Sequence, residues 1–90
     1  MPLFDILTFF MGAGSDKTAK RMAIHIGQAI RSRREQNELN QDELAWRSDT
    51  HRAYMGTIER GEQNITVYKL FQISRALGAK PSDILRDIGF

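Results

Sequence analysis

The sequence predicts an all-α fold: a compact five-helix domain behind an apolar N-terminal arm. Three observations carry that prediction. Beyond residue 16, apolar residues recur at three- and four-residue steps in successive stretches, the spacing of one helix face. Between the stretches stand caps and breakers: Asn40, Gly61, Thr66, Gly78 and Pro81. Finally, residues 41–61, QDELAWRSDTHRAYMGTIERG, hold two short helical patterns separated only by a tight turn.

The arm, MPLFDILTFFM, places Leu3, Phe4, Leu7, Phe10 and Met11 on one helical stripe. A spanning helix needs roughly 20 apolar residues. Asp5 interrupts this shorter run and no basic start precedes it, so neither a membrane span nor a signal peptide is expected. Several readings remain open: packing on the chain's own core or partial disorder on one side, and association with a second copy or another protein on the other. Gly12-Ala13-Gly14-Ser15 reads as a flexible joint, with Ser15 or Asp16 able to cap the first domain helix. The chain therefore divides into an arm and joint, 1–16, and a domain, 17–90.

The first domain helix is expected over residues 17–36, with Ala19, Met22 or Ala23, Ile26 and Ile30 inward. Gly27 weakens its middle by about 1 kcal/mol relative to alanine, and a small residue there permits a close helix contact. Leu39 dips into the core from the next turn, and Asn40 with Glu43 has capping-box spacing for a second helix starting at Gln41. That helix turns Leu44 and Ala45 inward, and Ala45 is small enough for a steep crossing. Asp49 tolerates a left-handed backbone, and Thr50 can accept the first N–H of the next helix.

The third helix, residues 51–60, turns Met55 and Ile58 inward and leaves His51, Arg52, Ala53, Tyr54, Gly56, Thr57 and Arg60 on its other faces. Gly61 closes it as a left-handed cap. Thr66 caps a fourth helix to about residue 77, whose Val67, Leu70, Phe71, Ile73 and Leu77 are expected to form the far wall of the core. Gly78 ends that helix. Pro81 opens a last short helix carrying Ile84 and Leu85, and Ile88 and Phe90 come after it.

Ninety residues, 41% of them hydrophobic, allow one modest helical core and leave little room for a catalytic cleft. With no cysteine, disulfides and thiolate metal sites are excluded, and a cytoplasmic setting is expected. His25 has no second ligand at metal spacing, so neither a metal site nor a cofactor is expected. His25 and His51 also lack a partnered nucleophile, and no glycine-rich phosphate loop occurs, which argues against an enzyme. The formal charge of +2 is only mildly basic, but its distribution is uneven. Residues 17–34 hold six basic residues and no acid, whereas residues 35–43 hold four acids and no base.

The strings IGQAIRSRRE, NQDELAWRS, HRAYMGTIERGEQNIT and LFQISRALGAKPSDIL, in this order and spacing, resemble the phage repressor and Cro type of helix-turn-helix DNA-binding domain. The resemblance runs from Ile26 to Leu85, and HRAY…IERGEQNIT is further similar to the short controllers of restriction-modification operons. It implies a lambda repressor-like fold in which residues 51–60 enter the major groove of double-stranded DNA. Arg52, Ala53 and Thr57 are then the base-facing residues. Gln41, His51, Tyr54, Arg60 and Asn64 lie nearer the phosphate backbone. The chemistry suits those positions: arginine can pair with both acceptors of a guanine edge, and the Ala53 and Thr57 methyl groups can meet a thymine methyl. Gly56 departs from the polar residue usual in the family.

The resemblance also pairs Glu59 with Arg34 as a structural ion pair, since a carboxylate is ill suited to a polyanion. It implies a homodimer through the last helix, with Ile88 and Phe90 as its apolar contribution; the alternative is that these two fold back on their own core. The expected function is a transcriptional regulator that is not an enzyme and reads a palindromic operator as a dimer. The alternative is a protein-interaction module of the same fold, like an antitoxin or a bridging coactivator, using the apolar arm.

Overall fold

The computed structural model describes residues 15–90. Five helices succeed one another: α1 Ser15–Gln36, α2 Gln41–Arg47, α3 Arg52–Glu59, α4 Val67–Ala76 and α5 Pro81–Asp87. Among the described residues there is no other regular element. None of these helices is long and apolar enough to cross a membrane. The expectations for the apolar arm lie outside the described residues.

The core gathers Ile30 from α1, Leu44 and Ala45 from α2, Met55 and Ile58 from α3, Leu70 and Ile73 from α4, and Ile84 from α5, all buried. α1 packs on α3 and α5, α2 packs on α3 and α4, and α4 packs on α5. α1 starts at Ser15, two residues before the expected boundary. Its closest approach is at Gly27, where a Cβ would run into the Ile58 carbonyl oxygen and lie 2.7 Å from that of Glu59. Glycine here lets two backbones touch, which outweighs its poor helix propensity.

The first turn contains Glu38 at φ +57°, a left-handed residue that the sequence did not mark. Leu39 after it is buried. Asn40 then caps α2: its side chain accepts from the Glu43 N–H at 2.8 Å, and Glu43 accepts from the Asn40 N–H at 2.9 Å. At the corner between α2 and α3, Asp49 takes φ +53° and Ala45 is 2% exposed.

Two expectations are corrected here. Thr50 does not cap α3. Its hydroxyl is buried in the corner, where it donates to the Ser48 carbonyl at 3.1 Å and accepts from Lys69 Nζ at 3.1 Å. The cap is His51, whose Nδ1 accepts from the Ala53 N–H at 3.3 Å, so the helix proper begins one residue later, at Arg52. Second, Val67 and Phe71 do not line the core: they are 80% and 43% exposed. The inward stripe of α4 consists of Leu70, Ile73, Ser74 and then Leu77 at its cap. Phe71 stands about 100° round the helix from Leu70, and Val67, close to the stripe in angle, is left exposed in the first turn.

Thr66 caps α4 by accepting from the Lys69 N–H at 3.0 Å. Gly78 stands just past α4 at φ +70°, and Pro81 opens α5 at its first turn. α5 is tied back to α1 by Arg33, whose guanidinium donates to both Asp87 oxygens at 2.6 and 3.0 Å.

Candidate nucleic-acid interface

α3 has eight residues and two unlike faces. Met55, Ile58 and Glu59 are buried, with Gly56. Arg52 and Ala53 are exposed, while Tyr54 and Thr57 are half-buried. The Thr57 hydroxyl donates to the Tyr54 carbonyl at 2.7 Å. Its proton is thus committed to the helix, and beyond the helix it offers a methyl group and oxygen lone pairs. His51 accepts through Nδ1, which leaves Nε2 as the ring's donor at the start of the helix.

Glu59 turns the other way. Its carboxylate accepts from Arg34 Nε at 2.7 Å and Nη2 at 3.0 Å, with side-chain exposures of 11% for Arg34 and 2% for Glu59. The same guanidinium donates through Nη1 to the Leu39 carbonyl at 2.9 Å. The bonds to Glu59 raise the Arg34 pKa above its ordinary value, against the opposing effect of burial. One planar fork therefore clamps α1 to α3 and to the turn before α2.

Gln41 joins this cluster. Its Nε2 donates to Glu59 Oε1 at 3.0 Å, so the side chain at the start of α2 is oriented by the acid at the end of α3. Gly56 lies alongside. A Cβ there would sit 3.1 Å from Arg60 Nη1 and 3.7 Å from Gln41 Oε1. The space freed by glycine is taken by the arginine head, which answers why a polar side chain is absent at this position. Arg60 also donates to Glu62, Nε to Oε2 at 2.9 Å and Nη2 to Oε1 at 3.3 Å. That contact raises the Arg60 pKa and lowers that of the Glu62 carboxyl.

Arg52 pairs with Asp42, the second residue of α2, and both side chains stay largely exposed. Asn64 is exposed in the loop after α3, at the rim of an apolar groove lined by Met22, Ala23, Ile26, Ile58 and Ile65. The structure thus brings Gln41, Arg60 and Glu59 together around Gly56, keeps Arg52 and Ala53 outward, and sets Asn64 apart in its loop. Among the described residues, no group of three or more His, Asp or Glu could hold a metal ion.

Sequence reasoning missed three participants. Lys69 donates to the Asp49 carbonyl at 3.2 Å as well as to Thr50, fastening the corner to α4. Asp42 and Glu62 each hold an arginine of the proposed DNA face. Glu62 was within reach of a local reading, two residues from Arg60. Lys69 and Asp42 carry no such signal, because their partners lie in other elements.

Comparison with known proteins gives one consistent result. The helix-turn-helix family matches residues 30–85. The chain is 40% identical over 60 residues to control protein C.BamHI of Bacillus amyloliquefaciens, covering 66% of this chain and 74% of that protein. Among solved structures, the restriction-modification controller protein C.AhdI of Aeromonas hydrophila superposes with a TM-score of 0.69 at 30% identity, over 71% of this chain and 97% of that one. The clp gene regulator ClgR of Corynebacterium glutamicum gives 0.70 at 31% identity, over 72% and 69%.

Proposed function

The chain belongs to the helix-turn-helix family and is homologous to restriction-modification controller proteins, and on that premise we propose that it is a transcription regulator binding a palindromic operator of such an operon as a dimer. One observation carries the reading. α3 turns its acid inward onto Arg34 and presents Arg52, Ala53 and Thr57 outward, flanked by Gln41, His51, Tyr54 and Arg60. An α-helix fits the major groove, and these side chains offer the donors and methyl groups that base edges and phosphates accept. The protein works by binding and carries out no reaction.

A two-fold dimer sets two copies of α3 about 34 Å apart, in successive major grooves. Among the described residues, apolar surface for self-association is present at the C-terminus and on α4, besides the exposed Trp46 of α2. Phe90 is 45% exposed beyond α5, next to a half-buried Ile88. On α4, Val67 and Tyr68 are exposed, and the Tyr68 and Phe71 rings stack with centroids 6.2 Å apart.

Selection of bound sequences from a random duplex pool tests the proposal, with salt dependence measured on the best binder. A palindromic site whose affinity falls steeply with salt is the expected result. Failure to enrich any sequence would overturn it in favour of a protein-binding module.

A further inference from the structure

The N-terminal half of α1 borders an apolar groove that runs down to the core. Its floor is Ile58, 1% exposed, and the buried Ala23. Its walls are Ala19, Met22 and Ile26 of α1 and Ile65 from the loop after α3, all half-buried. The volume is about 210 Å³, room for a large apolar side chain or two, and among the described residues no charged side chain lines it. Such walls offer nothing to a phosphate, because apolar carbon cannot replace the water around a charge. The groove calls for an apolar occupant.

We propose that the occupant is this chain's own N-terminal arm, folded back antiparallel to α1 with Phe4 and Leu7 in the groove. Position is the first argument. The arm joins the described structure at Ser15, the first residue of α1, and Ala19 lies four residues on, about 6 Å along the same helix. Gly12-Ala13-Gly14 has the length of a connection between two antiparallel helices. A return about Ala13 sets Leu7 beside Ala19, Phe4 beside Met22 and Leu3 beside Ala23. Chemistry is the second argument. Taken as a helix, the arm has Leu3, Phe4 and Leu7 on one stripe and Asp5 on the opposite side, so an uncharged stripe meets uncharged walls. The tether is the third. A short flexible joint holds the arm at an effective concentration in the millimolar range, which favours it over a separate protein of equal chemistry. Seating the arm also removes from water an apolar stripe that would otherwise invite association. The arm then serves the domain's own core, independently of what α3 binds.

The chain holds no cysteine, so cysteine pairs can be installed without background. In the full chain, Phe4→Cys/Met22→Cys and Leu7→Cys/Ala19→Cys are oxidised at low protein concentration. A control pair, Phe4→Cys/Arg75→Cys, puts its second cysteine at a different groove, between α2 and α4. Both designed pairs are expected to close within one chain, since a disulfide needs its two Cα atoms within about 7 Å, and the control pair is expected to stay open. Thermal melting of Phe4→Ala, Met22→Ala and the double variant supplies a second measurement. Each single change is expected to lower the melting temperature by about 4 to 8 °C. The double change should lower it by little more than either alone, because both remove one contact. Disulfide-linked dimers from the designed pairs, with no closure inside one chain, would assign the groove to the arm of a second copy and overturn the proposal. Equal closure of designed and control pairs, the mark of an arm that visits the whole surface, would also overturn it. So would a melting temperature unchanged by Phe4→Ala, which would leave the groove to a partner other than the arm.

Discussion

The two ends of α3 carry the same chemistry, an arginine against a carboxylate, in two different environments. Inside, Arg34 and Glu59 are 11% and 2% exposed, joined by two bonds, with Gln41 and the Leu39 carbonyl completing the cluster. Outside, Arg52 and Asp42 are 70% and 65% exposed and meet between two short helices. Burial decides what each pair does. Two charges out of water are held to their partners because neither can be left alone. Two charges in water are nearly as well off apart, so the outer pair holds little structure together. A buried structural tie and a solvent-exposed contact thus stand at opposite ends of one short helix.

Loss of the inner pair has the largest expected effect. Arg34→Ala leaves Glu59 buried and unpaired, and loss of one partner of such a pair costs about 3 to 5 kcal/mol. A large fall in the denaturation midpoint is expected, with the motif recovered by whatever protein remains folded unchanged. Arg34→Lys keeps the charge but loses the fork, and should fall between the two.

The two glycines extend the contrast. Gly27→Ala pushes a methyl group into the α3 backbone carbonyls, which cannot move aside, and overpacking of this kind costs about 1 to 3 kcal/mol. Gly56→Ala crowds the end of the Arg60 side chain, which can, and makes an ordinary contact with Gln41. It should therefore gain stability, up to about 1 kcal/mol from helix propensity, while changing DNA affinity through the displaced arginine. Thermal melts of the two variants, run together, separate a glycine required by packing from one that seats a side chain.

The smallest effect is a pH effect. The bond from Arg33 lowers the Asp87 pKa, with burial opposing, and raises that of Arg33. A carboxyl whose folded pKa is depressed contributes stability that is complete above its ordinary pKa and lost as pH falls through the lower folded value. Asp87→Asn should therefore lower the melting point slightly at neutral pH, and the difference from the parent should vanish in strong acid. A difference that persists there would assign Asp87 a role other than its charge.

Much of the architecture was legible because it is local. Asn40 and Glu43 lie three residues apart and satisfy each other's end of the same helix. Asp49 and Gly61 announce their left-handed turns by residue type, and Ala45 its crossing by size. The cap of α3 was misread because Thr50, a good cap by type, is engaged by Ser48 and by a lysine from α4, so the neighbouring histidine takes over. Phe71 and Val67 were misread because apolarity identified them as core, whereas the inward stripe includes Ser74, whose hydroxyl is satisfied by the Leu70 carbonyl.

By itself, then, the sequence determined the number and order of the helices and most of their caps and stops, since these depend on interactions within about one turn. The tertiary structure decided the pairings of charge between elements: it buries Glu59 on Arg34, a partner that only the family resemblance had named, sets Asp42 on Arg52, and fastens the corner with Lys69. Arginines are alike along the chain. What separates them is desolvation and the partner brought within reach, and both exist only once the helices have packed.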